Sequence, residues 1–199
     1  MSNLLLQPDL SGDGPIHDVT PASAGWSHVG FGLHDLAAGT SVGSDGTADE
    51  ICLVLLSGSV RIIAGDLDTG MLQGRASVFD KVAPHAVYVP MKTTWQVEAG
   101  RDSELAVCRA PGTEGKLPPR LIGSQNMPLE TRGTGSNVRH VCNILPETEP
   151  ADSLLVVEVI TPAGNWSSYP PHKHDTDNLP EESYLCLLYT SDAADDTSG

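Results

Sequence analysis

The sequence predicts an all-β chain, and three observations carry that prediction. Glycine and proline are abundant, at 20 and 15 of the 199 residues. Long stretches with the 3.6-residue apolar period of an amphipathic helix are missing, and short apolar runs bounded by turn residues recur instead. An order of elements also repeats. Leu36-Ala37-Ala38-Gly39-Thr40, a polar loop, then Glu50 and an apolar run correspond to Ile160-Thr161-Pro162-Ala163-Gly164-Asn165, a polar loop, then Glu181 and Glu182.

Composition bounds the function. A chain of this length buries a sizeable core as one large domain or two small ones. The net charge of −15 argues against nucleic acid or an anionic membrane as partner, because phosphate contacts need a basic surface. A small anionic substrate remains compatible, since it needs only a local basic or metal-bearing pocket. The N-terminus lacks the charged and apolar regions of a signal peptide, and no apolar run reaches membrane-spanning length. Cys52, Cys108, Cys142 and Cys186 show no Cys-x-x-Cys spacing, and Cys52 and Cys108 sit in apolar runs. Buried thiols, no disulfide framework and a cytoplasmic location are expected. A homo-oligomer is left open.

In chain order, residues 1 to 25 are turn-rich and read as an extended arm carrying His17 in an exposed loop. Residues 26 to 36 alternate loosely, carry His28 and His34, and end in the turn at Gly39. Residues 41 to 49 read as a polar loop. The continuous apolar run from Ile51 to Leu56 is a buried strand. Ser57-Gly58-Ser59 reads as a tight turn, with Val60 to Ile63 returning as a hairpin. A glycine-rich loop (Gly65, Gly70, Gly74) leads to a strand between His85 and Pro90. Two further strands cover 94 to 97 and 104 to 109.

This layout resembles a cupin, a small double-sheet jelly roll. Cupins hold a metal through a His-x-His and a glutamate in their first half and a histidine in the second. Glu50 and His85 stand in suggestive places, but Gly43-Ser44-Asp45-Gly46-Thr47-Ala48 occupies the His-x-His position. Residues 26 to 110 are therefore expected to form a cupin without an intact metal site, serving packing and support.

Residues 110 to 119 read as a linker and 120 to 139 as an irregular crossover, with Arg120, Arg132 and Arg139 as solvated cations. His140 to Leu145 is a strand with His140 paired or at its edge, and Leu154 to Ile160 a buried strand. The repeat makes the expected architecture a tandem cupin (double-stranded β-helix or jelly roll) whose second copy is incomplete. Its divisions are an N-terminal cupin over 1–125, the first part of a C-terminal metal-binding cupin over 126–185, and a non-native tail over 186–199.

The second copy has the histidines the first lacks. His172 and His174 follow the diproline Pro170-Pro171, which enforces extended backbone. Side chains at i and i+2 of a strand leave from one face, so both imidazoles can address one ion while Lys173 turns away. Asp175, Asp177, Glu181 or Glu182 could add an oxygen ligand. This donor set suits a divalent metal, Zn²⁺ first, with Mn²⁺ or Fe²⁺ as alternatives.

The run Pro170-Pro171-His172-Lys173-His174-Asp175-Thr176-Asp177-Asn178-Leu179-Pro180-Glu181-Glu182-Ser183-Tyr184-Leu185 resembles the 5-deoxy-glucuronate isomerase family of bacterial myo-inositol catabolism. The 4-deoxy-uronate isomerases of pectin breakdown are more distantly similar. The resemblance implies a bicupin with its metal in the C-terminal half, held by His172 and His174. It places the other two ligands, a glutamate and a histidine, beyond Leu185, and gives Glu181 and Glu182 no ligand role. It implies an aldose–ketose isomerisation of a small sugar acid, 5-deoxy-glucuronate to 5-dehydro-2-deoxy-gluconate, with the base unidentified. Cys186 to Asp195 resembles the translation of a sequencing adaptor. An inactive fragment with exposed, aggregation-prone strand edges is the corresponding expectation. A non-catalytic cupin that binds sugars or regulates is the alternative, and a metal-dependent cupin oxygenase a third.

Overall fold

The computed structural model describes residues 6–166 apart from Asp13 and Trp26. Contacts divide the chain into two units, Met1–Pro128 with Asn143–Val157, and Leu129–Cys142 with Glu158–Gly199. The first unit is a β jelly roll of the cupin kind, as the sequence predicts. No helix among the described residues is long and apolar enough to cross a membrane.

The N-terminal arm is more ordered than its turn residues suggest. It holds strand β1 (His17–Val19), with His17 half-buried, and the single turn α1 (Pro21–Ala24). Thr20 and Ser23 cap that turn reciprocally, side chain to backbone N–H, and Gly25 closes it at φ 73°. Strand β2 (Gly30–Leu36) follows, as expected. The supposed polar loop contains strand β3 (Ser41–Ser44).

The largest departure concerns Ser57-Gly58-Ser59. It is a bulge rather than a hairpin turn, and β4 runs unbroken from Asp49 to Ala64. The true turn is Gly65-Asp66, which joins β4 to β5 (Leu67–Gln73) with Ala64 opposite Leu67. Gly65 at φ 53° supplies the left-handed backbone that a two-residue hairpin turn needs. After β6 (His85–Val89), the two expected strands at 94–97 and 104–109 prove to be one, β7 (Trp95–Pro111).

The two long strands build both layers. One half of β7 (Ser103–Arg109) pairs with β2 and the other (Trp95–Glu98) with β3. Likewise β4 pairs with β6 through Ile51–Leu55 and with β5 through Ser59–Ala64. The bulge adds one residue, so inward-facing positions change from Ile51, Leu53 and Leu55 to Val60, Ile62 and Ala64. These meet Val87, Val89, Val97, Leu105 and Val107 in one core, each large side chain worth about 1.5–3 kcal/mol on burial.

The supposed crossover is also structured. It contains β8 (Arg120–Ile122), which extends the sheet beyond β6, then β9 (Leu129–Arg132) and the start of β10 (Arg139–Leu145). In the second unit β9 pairs antiparallel with β10, Arg132 opposite Arg139. Strand β11 spans Val156–Ile160, two residues shorter than predicted, and Val157 and Val159 are exposed rather than buried. Residues 167–185, the last part of the expected second jelly roll and the part that carries its histidines, lie outside the described residues.

Candidate functional site

The ligands expected from the sequence, His172 and His174, also lie outside the described residues, as do Asp175, Asp177, Glu181 and Glu182. Among the described residues no group of three or more His, Cys, Asp and Glu side chains is placed to hold a metal ion. The two suggestive residues of the first jelly roll do not meet. His85 is opposite Leu55 and shares its inner face, whereas Glu50 is one position off the inward set Ile51, Leu53 and Leu55. Successive strand side chains point to opposite faces, so the pair cannot share an ion.

Glu50 instead forms a clasp on the outer face. Its carboxylate is fully buried. It accepts the Tyr88 hydroxyl at 2.8 Å, the Asp152 backbone N–H at 2.8 Å, the backbone N–H groups of Ser153 and Leu154, and the Ser153 hydroxyl at 3.0 Å. Five donors compensate the desolvation of one buried charge. Burial and the Glu50 carboxylate together push the Tyr88 phenol well above its ordinary range. The segment so held fastens itself a second time. The Asp152 carboxylate accepts the backbone N–H groups of Thr113, Glu114 and Gly115 at 2.9–3.0 Å. The Gly115 and Glu114 amides hold its carboxyl below the usual range.

Arg120 is not a solvated cation. Its guanidinium lies over the Tyr88 ring, 4.6 Å from the centroid, and Nη2 stands 3.6 Å from Glu149 Oε2. Arg132 is the exposed cation expected, paired with Glu130. In the second unit Arg139 donates to the Asn137 carbonyl, and His140 Nδ1 lies 3.1 Å from the Thr131 hydroxyl. Cys52 and Cys108 are directly opposed on β4 and β7 with free thiols. Burial raises both, Cys108 to about 11.

On the inner face at the other edge of the sheet sits a polar group that the sequence did not single out. His34 is 8% exposed and its Nε2 has no hydrogen-bond partner. Burial, then Arg109, lowers its pKa, so the ring is neutral near pH 7. Arg109 Nη1 donates to Asp18 Oδ1 at 2.8 Å. His85 Nδ1, by contrast, accepts the Ser124 backbone N–H at 3.4 Å. An arginine at the end of an apolar strand was the one available signal. Tyr88 and Asp152 carried none, because their partners lie 37 and more residues away in sequence.

The comparisons with known proteins agree on one relationship. The chain is 52% identical over 177 residues to the 5-deoxy-glucuronate isomerase of Geobacillus kaustophilus, covering 89% of this chain and 64% of that protein. It is 41% identical over 194 residues to the 5-deoxy-glucuronate isomerase of Bacillus subtilis, covering 95% of this chain and 71% of the relative. Among solved structures, an IolB-like protein from Salmonella typhimurium superposes with a TM-score of 0.85 at 46% identity, over 92% of this chain and 68% of that one. The chain thus spans just under two thirds of the length of the Geobacillus relative. With residues 4–196 matching its profile, the chain belongs to the KduI/IolB family.

Proposed function

We propose that the activity to which this chain contributes is the isomerisation of 5-deoxy-glucuronate to 5-dehydro-2-deoxy-gluconate, an aldose–ketose conversion of a small sugar acid. The observation that carries the reading is the 52% identity over 177 residues to a protein of that name. Residues 126–185 belong to a metal-bearing cupin in this reading, and residues 1–125 to a supporting one.

No described side-chain group fits a metal, since His34 and His85 stand on strands separated by β7 and β4, and Glu50 faces away. The donor chemistry of His172 and His174 does fit a divalent ion, with Zn²⁺ preferred, and these two residues would hold it. Bound there, the metal supplies the Lewis acidity that polarises the substrate carbonyl. If the diproline Pro170-Pro171 enforces extended backbone there, His172 and His174 would address one ion from the same face, with Lys173 turned the other way. The first jelly roll supplies rigidity, its Glu50 clasp fixing residues 152–154.

The test joins the chain at Leu185 to the remaining C-terminal portion of the Geobacillus relative and assays 5-deoxy-glucuronate with added Zn²⁺. Turnover is expected from the chimera and not from the 199-residue chain. His172→Ala or His174→Ala is expected to reduce it by more than about 100-fold. A folded chimera that binds no metal overturns the site assignment, and one that binds metal without turnover overturns the activity. Robust turnover by the 199-residue chain overturns its inactivity alone.

A further inference from the structure

The second unit carries an arginine whose charge no carboxylate meets. Strands β9 and β10 place Arg132 directly opposite Arg139, and such cross-strand partners share one face of the ribbon. Two like charges there repel each other, and only one of them is compensated. Arg132 donates to both Glu130 carboxylate oxygens, from Nε at 3.0 Å and from Nη2 at 3.4 Å. Arg139 has no ion pair among the described residues. Its Nη1 donates to the backbone and side-chain oxygens of Asn137 at 3.1 and 3.2 Å, which leaves Nε and Nη2 uncommitted.

The loop between the two arginines is open to solvent. Gly133 at φ 85° and Gly135 at φ 57° give it left-handed backbone, and a β-carbon on Gly133 would stand 3.0 Å from Arg139 Nη1. The guanidinium therefore packs against Gly133. Residues 131–136 are exposed, Arg139 is half-buried, and nothing lies within 4 Å of the β-carbon position of Gly135. A ligand can reach this loop from outside and needs no enclosed cavity. The loop is also tied to the segment that leads to the histidines. The Trp166 backbone N–H donates to the Ser136 carbonyl and the Asn165 side-chain amide to the Val138 carbonyl, both at 2.8 Å. Trp166 precedes His172 by six residues, a reach of at most about 20 Å even for fully extended chain.

We propose that Arg139 binds the carboxylate of the sugar-acid substrate. The proposal rests on the isomerase reading and names the group that holds the end of the substrate opposite the reacting carbonyl. A carboxylate is best held by two parallel N–H groups, and the Nε and Nη2 edge of a guanidinium supplies them. The second unit contains three Lys or Arg residues, Arg132, Arg139 and Lys173. Glu130 already neutralises Arg132, and Lys173 would turn away from His172 and His174 in extended chain. Arg139 is the cation left for an anion to meet. Its contact with Asn137 orients the guanidinium, and a bound carboxylate offsets the repulsion from Arg132.

The experiment uses the Zn²⁺-loaded chimera described above and reads turnover and binding separately. Arg139→Gln is expected to raise KM for 5-deoxy-glucuronate at least about tenfold with kcat within about threefold, the pattern of lost substrate binding. Isothermal titration with D-glucuronate as probe is expected to show a matching loss of affinity, with bound Zn²⁺ and Tm unchanged. Arg139→Lys keeps the charge without the paired donors and is expected to recover part of the loss, leaving KM about three- to tenfold above wild type. A purely structural role would not separate Lys from Gln in KM at equal Tm. Arg132→Gln is expected to change KM less than about threefold. Unchanged KM and affinity in Arg139→Gln, or in Arg139→Lys should Gln disturb the fold, overturns the proposal and leaves the isomerase reading standing. So does a larger effect of Arg132→Gln. The titration decides the proposal even without turnover, and a chimera that neither turns over 5-deoxy-glucuronate nor binds D-glucuronate overturns both.

Discussion

Tyr88 donates its hydroxyl to Glu50 across adjacent antiparallel strands, and the oxygen that receives it, Oε2, also receives the Asp152 backbone N–H, both at 2.8 Å. One carboxylate oxygen thus ties the outer face of the sheet to a segment 102 residues further along the chain. The remaining oxygen takes Ser153 and Leu154.

Removing the carboxylate leaves three buried backbone N–H groups and a phenol without an acceptor. Glu50→Ala is expected to destabilise the protein by about 3–5 kcal/mol. Tyr88→Phe leaves the other four donors in place and is expected to cost about 1–2 kcal/mol. Urea unfolding of both variants measures the difference. Equal losses would show that the Tyr88 hydrogen bond alone, not the backbone donors of residues 152–154, supplies the stability of the clasp.

Asp152 gives acid sensitivity of a defined sign. Its folded carboxyl titrates below the unfolded value of about 3.9 because three backbone N–H groups stabilise the anion. The stabilisation is complete above the unfolded pKa and is lost as pH falls through the folded one. Asp152→Asn is therefore expected to melt below the wild type at pH 6, with the gap closing below about pH 4. A gap that does not narrow as pH falls below the unfolded value contradicts this account.

Gly58 has φ 96°, and a β-carbon there would overlap the Ser103 hydroxyl and stand 2.5 Å from the Asp102 carbonyl. Gly58→Ala is expected to cost more than about 2 kcal/mol, since backbone strain and a steric clash add. Gly70 has φ 61° with nothing within 4 Å of the same position, so Gly70→Ala is expected to cost about 1 kcal/mol. Thermal melts that rank the two equally would show that the bulge relaxes.

The paired thiols should be inert. Burial raises Cys52 strongly and Cys108 to about 11, so neither presents thiolate at pH 8. Iodoacetamide labelling read peptide by peptide is expected to spare both in the native protein and to modify both in urea. Rapid native labelling of Cys52 would mean that the sheet opens at β4 and β7.

Legibility followed the range of the interactions involved. Alternation and turn residues located β2, β6 and β10 because side-chain period and backbone sterics act within a few residues. Ser57-Gly58-Ser59 was misread as a turn because a left-handed glycine serves a bulge and a hairpin equally, and only the partner strand tells them apart. Val157 and Val159 read as core because apolar character states that a residue can be buried, not that another surface covers it.

By itself, then, the sequence determined the all-β class, most strand positions, and the family through the run around His172 and His174. Tertiary structure decided which face each side chain occupies. The inserted bulge residue shifts the inward set of β4, Glu50 turns outward to meet residues 152–154, and the missing side chain of Gly32 lets Arg109 and His34 pack close against it. Those outcomes depend on strands brought together over dozens of residues, and strand register across such distances is set by the closed sheet rather than by any local run of sequence.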